Sequence, residues 1–97
     1  MYIESAKLVF HIAHANSLKD KRQVRRSLID KGRHKFNASI AEVAEQDQYR
    51  TLVIGISTVS GESTHAVQSL NEIIRFMEEQ AEQMGVDLLE VLTGPFF

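Results

Sequence analysis

Hydrophobic and polar residues alternate with a period of two in several segments of the chain. Leu8, Phe10 and Ile12 fall on one face of the first of these segments, and polar residues share the other face with Val9. This alternation is typical of strands with one buried face. The four predicted strands span residues 2–12, 37–45, 49–59 and 86–93.

A helix is predicted between the first two strands. It begins at Leu18, because the hydroxyl of Ser17 can accept a hydrogen bond from the third helical N–H. It ends near Lys31 or Lys35, depending on whether Gly32 is a left-handed stop or an interior residue.

A second helix is predicted after Ser60-Gly61-Glu62, which offers a capping hydroxyl and an acid, and its apolar stripe ends at Gly85. The element order is therefore β-α-β-β-α-β. Two helices packed on one face of a four-stranded, mostly antiparallel sheet would bury the apolar stripe of each helix. This arrangement predicts an α+β, ferredoxin-like sandwich. The 97 residues, 43% of them hydrophobic, are expected to form a single domain over residues 1–97.

Charge is distributed unevenly along the chain. The formal net charge is −2, but residues 19–35 hold eight basic and two acidic residues. At about 100° per residue, four basic side chains fall within roughly 60° of one another on the first helix. Such a flank suits the phosphate backbone of a nucleic acid, without sequence readout. These residues are Lys19, Arg22, Arg26 and Arg33.

Two other interpretations of this basic flank stay open. It can face solvent or pair with acids of the second helix, for which Glu78, Glu79 and Glu82 are available. It can also bind a protein partner. Base stacking on the sheet is not expected, because the central strands offer Tyr49 as their one candidate ring.

The sequence does not predict catalysis. Its lack of cysteine excludes thiolate chemistry and disulfides. His11 and His14 have no convincing third ligand, so no metal site and no cofactor are predicted. The N-terminal stretch contains Glu4 and Lys7 and does not resemble a signal peptide, and no apolar run suits a membrane span, so we expect a cytoplasmic, non-enzymatic protein.

Five apolar residues predict an interface between copies. Val9 and Val53 belong to the open face of the sheet, Phe76 to the polar side of the second helix, and Phe96 and Phe97 to the tail. An uncovered apolar sheet face is often closed by a second copy, which favours a homodimer. Alternatively, the tail folds back over Phe76 or the sheet edge and leaves a monomer.

The chain resembles the YlxP-like family of small bacterial proteins, a domain of unknown function. The resemblance covers nearly the whole chain. It rests on Ser17-Leu18-Lys19-Asp20-Lys21-Arg22, on Phe36-Asn37-Ala38-Ser39-Ile40-Ala41-Glu42-Val43, and on Gln46-Asp47, Tyr49-Arg50 and Ile54-Gly55-Ile56-Ser57.

The resemblance implies a ferredoxin-like fold and genes that neighbour those of translation initiation and ribosome maturation factors. It implies no activity, and the basic residues that it maps are Lys19, Lys21 and Arg22. Together with Arg26 and Arg33, these are the residues predicted to contact nucleic acid. Arg25 and Gly32 depart from the pattern, since aliphatic residues are usual at these positions.

Two functions follow as hypotheses. The first is a protein that binds structured RNA or the ribosome through its basic first helix. The second is a homo-oligomeric regulatory or scaffold module that binds a protein partner.

Overall fold

The computed structural model describes residues 1–96 and contains the six predicted elements in the predicted order. They are β1 (Tyr2–His11), α1 (Leu18–Lys35), β2 (Ser39–Ala44), β3 (Thr51–Ser60), α2 (Ser63–Gln83) and β4 (Asp87–Thr93). The strands form one sheet in the order β2-β3-β1-β4, and all neighbouring strands are antiparallel. The predicted α+β, ferredoxin-like fold is therefore confirmed.

The core lies between the sheet and the two helices. Alternate residues of β1 and β3, such as Leu8 and Ile54, are fully buried and directly paired across the two strands. Leu28 of α1 and Met77 of α2 cover them from the helical side. The alternate positions of the strands form the opposite, open face of the sheet, because successive side chains of a strand point to opposite faces.

The start of α1 is fixed by two reciprocal contacts. The Ser17 hydroxyl accepts a hydrogen bond of 3.2 Å from the Asp20 N–H, as the sequence predicted. In return, Asp20 Oδ2 accepts a hydrogen bond of 2.9 Å from the N–H of Asn16. These contacts satisfy backbone donors that the first helical turn leaves free.

Gly32 is an interior residue of α1, not its stop. The helix continues to Lys35, and the Phe36 N–H then donates a 2.9 Å hydrogen bond to the Gly32 carbonyl. A Cβ atom at Gly32 would lie 2.7 Å from Ile40 Cδ1 and 3.3 Å from Met77 Sδ. A glycine therefore stands here because the helix passes close to β2 and α2.

The structure corrects the predicted bounds at two connections. Tyr49 and Arg50 belong to the turn between β2 and β3, where Glu45 has a φ of 55°. Ser60 ends β3 and does not cap α2, because its hydroxyl accepts from the Glu62 N–H two residues away, and α2 has no side-chain cap.

The tail after β4 folds back over the open face of the sheet. The Gly94 N–H donates a 2.9 Å hydrogen bond to the Ser5 carbonyl, and the Lys7 ammonium lies 4.9 Å from the centre of the Phe96 ring. Within residues 1–96, neither helix combines the length and the apolar character needed to cross a membrane.

Replacing Gly32 with leucine is expected to lower the free energy of unfolding by about 2 kcal/mol, because the added side chain overpacks the space beside Ile40 and Met77. Urea unfolding measures the change. The matched control is Gly61→Leu, since a Cβ there meets no atom within 4 Å and should alter stability by less than about 0.5 kcal/mol. Equal stability of the two variants would contradict the close-packing explanation.

Candidate nucleic-acid interface

The outer face of α1 presents basic side chains to solvent. Lys19, Arg22 and Arg26 are exposed on consecutive turns of the helix. Among residues 1–96, the side-chain ion pairs within 4.0 Å both involve Glu42 of β2. The three exposed cations therefore do not pair with acids of α2, as one interpretation of the sequence allowed. We call these three residues the basic face of α1.

Lys21 does not belong to this face. The residue is 1% exposed, and its ammonium donates hydrogen bonds of 2.7 Å to the Glu45 carbonyl and 2.8 Å to the Gln48 carbonyl. Glu42 Oε2 lies 2.8 Å from the same nitrogen. The prediction that Lys21 contacts nucleic acid is wrong, because its ammonium is buried and surrounded by the protein's own oxygens.

Arg25 forms the second ion pair with Glu42. Its Nη1 atom lies 3.2 Å from Glu42 Oε1, and a third of its side chain reaches solvent. This arrangement explains the departure from the aliphatic pattern, since the stem of Arg25 packs at the edge of the apolar arc while its head extends outward. Lys21 and Arg25 together neutralise a carboxylate whose side chain is 9% exposed.

Arg33 lies near the end of α1 and reaches the edge strand β2. Its Nε and Nη2 atoms donate hydrogen bonds of 3.1 and 2.7 Å to the Ile40 carbonyl. These two hydrogen bonds fix the plane of the guanidinium, and Nη1 takes part in neither of them. Arg33 is exposed and has no carboxylate within ion-pair distance among residues 1–96, so it continues the basic surface towards β2.

A groove of about 320 Å³ runs between α1 and the edge of β2. Arg25, Arg26 and Arg33 line it together with Asp30 and Glu42, and we call it the arginine groove. Glu42 is neutralised within the fold, whereas Asp30 has no ion-pair partner among residues 1–96. The arginine groove therefore combines a net positive charge with one opposing carboxylate.

The residues predicted to form an oligomer interface lie on different sides of the molecule. Phe76 packs edge-on against Phe36 beside the helices, with ring centres 5.3 Å apart. Phe96 instead lies on the sheet side, above Lys7. Val9 belongs to the open face, but Val53 is only 6% exposed, and Phe97 lies outside the described residues. These residues do not form one continuous surface, and the homodimer stays a prediction.

The Lys21–Glu42 contact is the feature that sequence reasoning missed. One local signal was present, because Lys21 precedes Leu28 by seven residues and therefore lies on the apolar side of α1. A charged residue at the centre of an apolar stripe must find partners. The identity of these partners depends on tertiary contacts from β2 and its turn.

The histidines do not assemble a metal centre in the part of the chain that the structure describes. No group of three or more His, Cys, Asp or Glu side chains could hold an ion there. Tyr49, the one candidate for base stacking, lies in a turn with the Arg50 guanidinium 5.7 Å from the centre of its ring.

The fold and this surface define a small α+β protein of ferredoxin-like architecture with a basic helix face. Residues 3–89 match the family model described as "Protein of unknown function (DUF503)", and the chain belongs to this family. It is also 32% identical over 71 residues to the "Uncharacterized protein YlxP" of Bacillus subtilis (strain 168). The aligned region covers 73% of this chain and 77% of that protein. The predicted resemblance is confirmed.

Replacing Lys21 with methionine is expected to destabilise the protein by about 3 kcal/mol or more, because Glu42 and two carbonyls lose their buried cation. Urea unfolding measures the loss. The double variant Lys21→Met, Glu42→Leu should recover part of it, since it also removes the largely buried carboxylate that has lost one of its two cations.

The control is Lys19→Met in the same helical turn. Because Lys19 is exposed, this change should alter stability by less than about 0.5 kcal/mol. Equal losses of stability at the two positions would show that the contacts of Lys21 with Glu42, Glu45 and Gln48 do not stabilise the fold.

Proposed function

We propose that this protein binds structured RNA through the basic face of α1, with Arg33 extending the contact. The observation that carries the proposal is the separation of the charges. Glu42 engages Lys21 and Arg25, whereas the cations of the basic face have no carboxylate within ion-pair distance among residues 1–96. Free cations on one rigid helix suit the regular spacing of phosphates.

The helix supplies affinity without reading bases. Three phosphate contacts give a slope of about −2.7 for log affinity against log salt, which corresponds to roughly fortyfold weaker binding at 200 mM than at 50 mM salt. RNA is favoured over DNA by the gene neighbourhood that the family resemblance implies. Recognition of an RNA helix by shape and backbone contacts is consistent with a surface of this kind.

The side chains on the central strands also favour the helix as the binding element. Lys7, Val9 and His11 of β1 lie on the open face, and they pair with Gly55, Val53 and Thr51 of β3. None of these six residues offers the phenylalanine or tyrosine rings on which single-strand RNA modules of this architecture stack bases.

Replacing both Arg22 and Arg26 with glutamine is expected to weaken binding of a ribosomal RNA fragment about tenfold or more and to reduce the salt slope by about two. Filter binding at several salt concentrations measures both quantities. The matched control is Lys31→Gln with Arg75→Gln, which removes two exposed charges away from the basic face. If the two double variants bind alike, the basic face is not the RNA surface.

Replacing Asp30 with asparagine is expected to strengthen RNA binding about two- to fivefold, because it removes a carboxylate beside Arg26 and Arg33. The same filter-binding titration detects this gain. Asp87→Asn on β4 makes the same chemical change at the opposite edge of the sheet and controls for net charge. An equal gain from both variants would show that net charge matters and the arginine groove does not.

A further inference from the structure

A second groove meets the arginine groove at the edge of β2. It has a volume of about 560 Å³ and lies on the open face of the sheet. We call it the sheet-face groove. Arg33 and Ala41 line both grooves, so the two form one path around the edge strand. One end of this path is lined by arginines and the other is largely apolar.

The sheet-face groove has a floor of small residues. Ala41, Gly55 and Ser57 lie on neighbouring strands, and Ser5 and Ser39 pair with Ser57 from either side. Gly55 is a glycine because Val43 lies close to β3, and a Cβ atom at Gly55 would be 2.7 Å from Val43 Cγ1. The side chains leave a shallow, flat depression on the sheet.

Larger side chains border this floor. Val43 stands on the β2 side, and the partly exposed ring of Phe96 stands with the Lys7 ammonium on the other. The depression therefore offers an aromatic ring, a cation and several hydroxyls around an apolar floor. A planar heteroaromatic ring fits such surroundings, because it can stack on the ring of Phe96 while its polar edge meets the serine hydroxyls.

Arg33 is oriented before any ligand binds. Its two hydrogen bonds to the Ile40 carbonyl hold the guanidinium at the junction of the two grooves. Because the side chain is already ordered, an anion that binds there requires less loss of conformational entropy than one that binds a free arginine. Arg26 lines the same groove from α1.

We propose that the path around β2 binds one unpaired nucleotide of an RNA, with its phosphate beside Arg26 and Arg33 and its base on the floor of the sheet-face groove. Arg33 and Ala41 line both grooves, so the phosphate and the base of one nucleotide can occupy neighbouring grooves. This inference rests on the proposed function. It adds a site on the sheet that contacts an RNA base, whereas α1 contacts the RNA backbone alone.

The experiment compares Ala41→Glu with Leu89→Glu in the full chain. Both residues are exposed on edge strands, so both variants add one carboxylate without disturbing the core. Ala41 lines the proposed path, whereas Leu89 lies on the opposite edge of the sheet. The probes are an RNA hairpin with an unpaired uridine loop, a blunt RNA duplex, and uridine monophosphate.

Ala41→Glu is expected to weaken hairpin binding about tenfold or more relative to Leu89→Glu, because its longer side chain occupies the floor of the sheet-face groove where the base lies. Binding of the duplex should weaken much less, since a duplex has no free base to place in the groove and meets the added carboxylate only through its phosphate contact with Arg33. Uridine monophosphate should bind far more weakly than the hairpin but shift the amide resonances of Ala41 and Gly55.

Equal hairpin binding by the two variants would overturn the nucleotide site. If the two variants bind the hairpin equally but the Arg22→Gln, Arg26→Gln variant binds both RNAs more weakly than the unaltered protein, the proposed function stands and only the nucleotide site is lost. If that variant also binds normally, both proposals fail. Binding of uridine monophosphate as tight as that of the hairpin would identify a free nucleotide as the ligand and overturn the assignment to RNA.

Discussion

The buried ammonium of Lys21 is the interaction on which the functional surface depends. An unpaired charge in a protein interior is strongly unfavourable, so the fold must supply it with acceptors. The carbonyls of Glu45 and Gln48 and the carboxylate of Glu42 provide them. These contacts join the first turns of α1 to the β2–β3 hairpin. The separation of α1 from β2, and therefore the width of the arginine groove, follows from this connection.

The same network determines which charges remain available outside. Glu42 engages one fully buried and one partly exposed cation, and it therefore neutralises positive charge that the sequence assigns to the helix. Six basic residues of α1 remain exposed, and three of them, Lys19, Arg22 and Arg26, share the basic face. A segment with a large formal charge can thus present a smaller, better defined surface.

Local patterns predicted the elements, and long-range contacts explain what they missed. Alternation and helical spacing located all six elements, because burial imposes these periods on neighbouring residues. The partners of Lys21 lie 24 and 27 residues away, so no local pattern could identify them. Likewise, the sequence could not show that Phe76 packs beside the helices while Phe96 crosses the sheet. Of the candidate site, the exposed residues of α1 were predictable, whereas the part played by β2 was not.

The hydrogen bonds from Arg33 to Ile40 also affect how the sheet can meet other strands. Edge strands invite pairing with foreign chains through their free backbone groups. On β2, a guanidinium already occupies one such acceptor. On β4, Asp87 and Glu90 place negative charge along the other edge, where two like copies would repel each other. Both margins of the sheet thus carry features that oppose the addition of a further strand.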